Sequence, residues 1–148
     1  MIPKTFVASF SVSLLTTALF AQPSPQPVQD TGRTGVSWTR FVGTWKGFCA
    51  DGKEFVVLTL KEVGASVGGS ISVGNFKGPE GQCTNVVDPP SEEHAMKVTD
   101  AQSRSGVLAF KGARGAQFEM TLAGAEDAQL KFLGTPVEDN PWKLKRAR

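Results

Sequence analysis

The residues that could do chemistry are few in this sequence. The 148 residues include a single histidine, His94, in the polar segment Ser91-Glu92-Glu93-His94. A serine or cysteine nucleophile that is activated by a general base usually has a histidine beside it. Because the segment is polar and follows two prolines, it favours a solvated loop histidine. The sequence therefore predicts that the protein is not an enzyme, and it predicts no cofactor.

The carboxylates and the cysteines do not form a catalytic or metal-binding pattern either. The chain has 14 Asp and Glu residues, and nearly all of them fall in predicted turns or, like Glu119, on outward strand positions. A glycosidase needs two carboxyl groups held about 5–10 Å apart in a cleft. Structural zinc needs four ligands, whereas only His94 could join Cys49 and Cys83. We therefore expect neither an acid/base pair nor a metal site.

Cys49 and Cys83 are the only cysteines of the chain. In an exported protein, two cysteines are more often paired than free. A bond between them closes a loop of roughly 35 residues, which the chain-entropy model values at about 3–4 kcal/mol. The sequence predicts this disulfide, and the alternative is a pair of buried thiols.

The first 21 residues have the order of a secretory signal peptide. Lys4 precedes an apolar stretch over residues 6–20 that is interrupted only by Ser and Thr, and the small residues Ala18 and Ala21 follow. That order is typical of a signal peptide, and the stretch is shorter than the ~20 residues of a spanning helix. We expect cleavage after Ala21, or after Ala18, and export to the periplasm or the extracellular space. An uncleaved anchor is the alternative.

Residues 22–37 are rich in Pro, Gln, Gly and Thr and have almost no large apolar side chain. Such a segment cannot bury enough surface to be ordered, so it is predicted to be a flexible leader before one domain over residues 38–148. Loss of Lys4 with the signal peptide changes the net charge from +2 to +1. A nearly neutral domain has no electrostatic reason to bind nucleic acid. No later segment has the length and apolar character of a membrane span.

From Trp38 onward the apolar pattern has a period of two residues. In residues 117–122, Phe118, Met120 and Leu122 alternate with polar side chains, which is typical of a strand with one buried face. Turn residues separate nine such segments, the last of them terminal: 45–49, 54–61, 69–73, 82–87, 95–99, 107–111, 117–122, 128–133 and 142–145. Short strands with frequent turns predict an all-β fold, an antiparallel up-and-down barrel or sandwich of about eight or nine strands. A turn of helix is expected over residues 38–42.

The motif Gly43-Thr44-Trp45 at the start of the first strand resembles the calycin group, which includes lipocalins, fatty-acid-binding proteins and avidins. In that group the tryptophan packs across one end of the barrel, often beneath a basic residue from near the C-terminus. The resemblance implies this structural role for Trp45 and Arg146 and a calycin-like barrel. The chain has no tyrosine, on which avidin-type pockets partly rely.

A closer resemblance, over residues 38–146, is to small secreted bacterial proteins of unassigned function. Their pattern joins the Gly-x-Trp start to an apolar second strand, here residues 55–60, and to Gly69-Ser70-Ile71. It closes on Pro141-Trp142-Lys143-Leu144-Lys145-Arg146. This resemblance implies a secreted β domain and brings no activity with it.

Two functions are expected from these features, with a small apolar ligand or an envelope protein as the partner. The first is non-catalytic binding of the ligand inside the barrel, by inward side chains that could instead fill the interior. The residues predicted to contact the ligand are Phe55, Ile71, Phe110, Phe118, Met120 and Phe132. The alternative is a protein-interaction module such as an envelope protease inhibitor, with residues 22–37 as the inhibitory arm.

The three tryptophans raise one more hypothesis, which is a platform on which a sugar ring stacks. Trp45 and Trp142 alternate with polar neighbours, and this alternation favours a place in the core for both. Trp38 lies at the edge of the domain, so a place in the core and a role in such a platform are both open for it.

Overall fold

The computed structural model describes residues 38–148. The predicted signal peptide, residues 1–21, and the predicted leader, residues 22–37, lie outside the described residues. A short 3-10 helix over Trp38–Phe41 opens the domain. The strands that follow are β1 Gly43–Phe48, β2 Glu54–Val63, β3 Ser66–Val73, β4 Asn75–Lys77, β5 Asn85–Asp88, β6 Met96–Arg104, β7 Val107–Lys111, β8 Gln117–Leu122, β9 Asp127–Phe132 and β10 Trp142–Arg146.

Eight of the strands close into a barrel, in the order β1-β2-β3-β6-β7-β8-β9-β10. Every neighbouring pair is antiparallel, and the pairing of β10 with β1, with Trp45 opposite Arg146, closes the ring. Strands β4 and β5 pair only with each other and form a hairpin that leaves the barrel between β3 and β6. The predicted all-β fold is confirmed, and it is an up-and-down barrel rather than a sandwich.

Two predicted strands differ from those observed. The segment 82–87 was expected in the main sheet, but its strand is β5, and its partner β4 has three residues and was not predicted. A strand this short, Asn75–Lys77 between Gly74 and Gly78, leaves no period to detect. The expected segment 95–99 continues to Arg104, because a bulge at Asp100, with φ of 52°, lets β6 bend and go on pairing with β7.

The core is the inside of the barrel. Alternate residues of each strand point inward, and Trp45, Leu58 and Met120 are each fully buried. Strand β2 is apolar on both faces near its start, where Phe55 and Val56 are both buried. The hairpin explains this, since Phe76 of β4 packs on Phe55 with ring centroids 5.1 Å apart.

The strand directions place different elements at the two ends of the barrel. One end, the base, holds the 3-10 helix Trp38–Phe41 and the end of β10. The other end, the mouth, holds the β4–β5 hairpin, the β7–β8 turn around Ala113–Gly115 and the segment 133–141. Within residues 38–148, no helix has both the length and the hydropathy that crossing a bilayer requires.

Candidate functional site

The base of the barrel is closed by Trp45, which is fully buried. Its indole Nε1–H donates to the carbonyl oxygen of Phe41 at 2.8 Å and so fastens the 3-10 helix to β1. The guanidinium of Arg146 lies over the indole ring, 4.2 Å from its centroid. The structure thus brings together the two residues for which the calycin resemblance implied a structural role.

Arg146 also ties three parts of the backbone together. Its Nη1 and Nη2 donate to the carbonyls of Val42 and Arg40, each at 2.6 Å, and its Nε donates to the carbonyl of Ala125 at 3.0 Å. Gly43 leaves room for the guanidinium because it has no side chain; a Cβ at this position would lie 2.8 Å from Nη1. Each of the three guanidinium nitrogens thus donates to a backbone carbonyl, and we infer that this end of the barrel serves the stability of the fold.

The interior is occupied by the protein's own side chains. Of the six predicted ligand contacts, five are buried to 3 % exposure or less, and they are Phe55, Ile71, Phe110, Phe118 and Met120. The rings of Phe110 and Phe118 stack with centroids 5.3 Å apart, and those of Phe118 and Phe132 with centroids 4.7 Å apart. Phe132, at the end of this row of rings across β7, β8 and β9, is only partly buried and lines the mouth. Of the six, it is therefore the side chain best placed to meet a ligand from solution.

A cavity of about 600 Å³ lies at the mouth. Its floor is apolar and is formed by Met96, Phe132 and Leu133, all partly buried. Its rim is the β7–β8 turn over residues 113–117, together with Gly134. Ligand pockets are commonly about 300–1,000 Å³ in volume and lined by apolar side chains with a few polar groups. The cavity has a volume in that range and a mainly apolar lining, and it is broadly open to solvent; we name it the mouth cavity.

Among residues 38–148, Arg114 is the only charged residue that lines the mouth cavity. It sits in a tight turn with φ of 57° and ψ of 29°, followed by Gly115 with φ of 77°, and the Ala116 N–H donates to the Ala113 carbonyl at 3.2 Å. These angles define a type I′ turn, which favours Asn or Gly at the position of Arg114. Its guanidinium makes no hydrogen bond or ion pair to the part of the chain that the structure describes, so it is available to a ligand.

An acidic side chain close to the rim, that of Glu138, already accepts a hydrogen bond from the backbone. The Glu138 carboxylate accepts the Gly134 N–H at 2.7 Å. The Leu133 N–H donates to the Gln117 carbonyl at 2.9 Å, so this side of the mouth cavity is held by backbone contacts. The backbone on this side of the mouth cavity is therefore held in place.

His94 lies on an exposed turn, where Ser91 Oγ is 2.8 Å from its Nδ1. The backbone of Ser91 is anchored in turn, because the buried Ser72 hydroxyl donates to its carbonyl at 2.7 Å and accepts its N–H at 3.0 Å. The serine and the histidine are three residues apart and close one surface turn. Among the described residues, no group of three or more His, Cys, Asp and Glu side chains is placed to hold a metal ion.

The predicted disulfide between Cys49 and Cys83 is confirmed, with the Cα atoms 4.8 Å apart. It links the loop after β1 to the β4–β5 hairpin, and the Ala50 N–H donates to the Cys83 carbonyl beside it. The hairpin is thus fastened covalently over the mouth. A disulfide is compatible with an oxidising compartment and with export.

Asp51 makes a second link to the hairpin, through a hydrogen bond to its charged carboxylate. Its carboxylate accepts the Lys53 N–H at 3.0 Å and, across the loop, the Val86 N–H of β5 at 3.1 Å. The hydrogen bond from the Lys53 amide is the largest cause that holds the pKa of Asp51 below its usual value; desolvation opposes it, and the Val86 amide lowers the pKa further. The charged carboxylate therefore stabilises the contact between hairpin and barrel, a role that the sequence analysis missed.

Comparison of the chain with protein-family models, with curated proteins and with solved structures finds no match. What is established about this molecule is its class: a closed eight-stranded antiparallel barrel with one disulfide and a cavity at its mouth. The resemblance to calycins and to small secreted bacterial proteins stays a prediction.

Proposed function

We propose that this protein is an exported, non-catalytic binding protein that holds a small apolar molecule at the mouth of its barrel. The observation that carries the proposal is the mouth cavity, about 600 Å³ in volume, with an apolar floor of Met96, Phe132 and Leu133. Burying a ligand on that floor removes apolar surface from water on both sides, at roughly 25 cal/mol per Å².

The mouth suits a ligand better than the interior does. Phe110, Phe118 and Phe132 form one row of stacked rings across β7, β8 and β9, and side chains occupy the inside of the barrel there. The Phe132 ring packs against Phe118 and is only partly buried where it lines the mouth cavity. A thioether such as that of Met96 adapts to ligands of different shape and makes favourable contacts with aromatic rings.

Arg114 gives the mouth cavity a preference for ligands that carry a negative charge. A guanidinium at the lip of an apolar cavity binds carboxylate, sulfonate or phosphate groups well, since its planar fork matches two oxygens. A molecule with an apolar body and an anionic group would satisfy both the floor and the rim.

Export to the periplasm or the extracellular space is part of the proposal. It is supported by the signal-peptide pattern of residues 1–21 and by the disulfide between Cys49 and Cys83. The alternative function, an envelope protease inhibitor, depends on residues 22–37, which lie outside the described residues, and it stays a prediction.

The direct test is a titration with the fluorescent dye 1-anilinonaphthalene-8-sulfonate, which has an aromatic body and one sulfonate. We expect saturable binding at one site, and replacement of Leu133 by glutamine should weaken it by about fivefold, since a lost apolar contact is worth ~1 kcal/mol. The control is Val63→Gln, which removes an exposed apolar side chain at the base. Unsaturable dye binding, or equal losses in both variants, would overturn the proposal.

The charge preference is tested at Arg114. Replacement by asparagine should weaken binding of the sulfonated dye and leave binding of the neutral N-phenyl-1-naphthylamine unchanged. It should also stabilise the protein by about 0.5–1 kcal/mol, since asparagine tolerates the left-handed conformation better than arginine does. Ser105→Asn is the matched control, because Ser105 has φ of 51° in an equivalent turn at the base. The Ser105→Asn variant should be more stable than the wild type and should bind both dyes with unchanged affinity. If Arg114→Asn binds both dyes as the wild type does, the role of the guanidinium is refuted.

A further inference from the structure

A second cleft, of about 250 Å³, lies on the outer side of the barrel near the mouth. It is bordered by the end of β1, by the segment before β5 and by the start of β10. Its lining includes Phe48, Gln82, Asn140, Trp142 and Lys143, and it shares no lining residue with the mouth cavity. Both its chemistry and its position therefore distinguish it from the site of the proposed function.

The walls of this cleft are rigid. A bulge between Gly47 and Phe48 interrupts the regular pairing of β1 with β2 and changes the direction of the Phe48 side chain. Cys49, the next residue, is bonded to Cys83, and Gln82 Nε2 donates to the Asn140 carbonyl at 2.7 Å. Three chain segments that are distant in sequence are thus locked together around the cleft.

Phe48 provides a flat apolar surface at the cleft. Its side chain is 48 % exposed, whereas Trp142, which forms the inner wall, is 4 % exposed and donates its indole N–H to the Gly81 carbonyl at 2.8 Å. The hypothesis of a tryptophan platform for a sugar therefore fails at Trp142, and also at Trp45, which is fully buried. The aromatic ring that is free to stack is Phe48.

The polar groups of the cleft face solvent around that ring. The Lys143 ammonium and the Asn140 side-chain amide make no hydrogen bond or ion pair to the other described residues, and Gln82 uses only its Nε2. Lys143 is the only charged side chain that the described part of the chain contributes to the lining. The cleft thus offers one aromatic face, two amides with donors and acceptors, and one cation.

We propose that this cleft binds a pyranose ring that carries a carboxylate, as in a uronic acid. The apolar C–H face of such a ring packs on Phe48, its hydroxyl groups bond to the amides of Gln82 and Asn140, and its carboxylate meets Lys143. A purely apolar ligand would leave the amides and the cation without partners, which is costly once water is displaced. A simple carboxylate would leave Phe48 unused.

The test is a ¹H–¹⁵N NMR titration of the intact domain with glucuronate, and in parallel with glucose and with acetate. Glucuronate should shift the side-chain amide signals of Gln82 and Asn140 and the backbone signals of Phe48 and Lys143, with saturation in the millimolar range. Glucose should bind about tenfold more weakly, because it lacks the charged contact to Lys143. No saturable shift with glucuronate, or equal shifts with acetate, would overturn the proposal.

Two variants connect the binding to the cleft. Lys143→Met should reduce glucuronate affinity to the level of glucose, whereas Lys97→Met, at an exposed position of β6, should leave it unchanged. Phe48→Ala should weaken both sugars by about tenfold, since it removes the stacking face. If that variant does not fold, Phe48→Leu retains the apolar character without the flat ring and should lose affinity likewise. Equal effects of Lys97→Met and Lys143→Met would refute the assignment.

Discussion

Replacing Arg146 by methionine would isolate what the guanidinium contributes at the base of the barrel. The apolar side chain of methionine still packs on the Trp45 ring, so the variant loses the interactions of the guanidinium itself. Three hydrogen bonds to carbonyls and one cation–π contact are removed. The Nη1 bond to Val42 is partly buried, and the other two bonds are exposed.

The magnitude follows from these contacts. A hydrogen bond from a charged donor is worth about 1.5–3 kcal/mol, and we count that in full only for the bond to Val42. The two exposed bonds and the cation–π contact add about 0.5 kcal/mol each. We therefore expect Arg146→Met to lower the free energy of unfolding by about 3–4.5 kcal/mol. Arg146→Lys should lose about half as much, since an ammonium can reach one carbonyl but cannot bridge three.

The assay is equilibrium unfolding in urea, followed by tryptophan fluorescence, which reports on Trp45 at the same site. The control is Arg148→Met, because Arg148 pairs with Glu126 at 3.3 Å while its side chain is 87 % exposed. Such a surface pair contributes little, so this variant should unfold as the wild type does. The reasoning is refuted if Arg146→Met is as stable as Arg148→Met, or if lysine restores full stability.

Two further changes test how the barrel is packed and how the hairpin is held. Gly47→Ala should cost about 1–3 kcal/mol by overpacking, since its Cβ would lie 2.5 Å from Val56 Cγ1, while Gly124→Ala, with open space around it, should be neutral in the same urea assay. For Asp51, whose pKa is lowered in the folded state, the stabilisation is present above the unfolded-state pKa of about 3.9 and is lost as the pH falls through the lower folded value. Asp51→Asn should therefore be less stable than the wild type at pH 7, and the difference should disappear in strong acid; a difference that does not change with pH would show that the charge is not involved.

Much of the fold could be read from local patterns. The alternation in residues 117–122 predicts both the strand and the inward position of Phe118 and Met120, because a strand buried on one face must alternate. The pairing of Cys49 with Cys83 was predicted because the chain has only two cysteines and its first residues predict an export signal. Trp45 and Arg146 were found through a resemblance, since 101 positions separate them and no local pattern connects them.

The sites could not be predicted in this way. Alternation identifies the inward face of a strand but not its neighbours, so it does not reveal that β6 and β9 place Met96 and Phe132 on one cavity floor. The turn around Arg114 shows a charged residue at an unusual backbone position only when its angles are known. Likewise, Phe48 and Lys143 meet only because β10 pairs with β1 and closes the ring.

The sequence by itself determined the all-β class of the domain, most of its strands with their buried faces, and its disulfide, all of which depend on short-range periodicity and on composition. Only the tertiary structure decided that the sheet closes into a barrel, that bulky side chains such as Phe110 fill the interior, and that the mouth and the outer cleft remain open. The physical reason is that closure and filling depend on the sum of strand registers and side-chain volumes around the whole ring. No single segment of the chain therefore determines whether the barrel closes or whether its interior is filled.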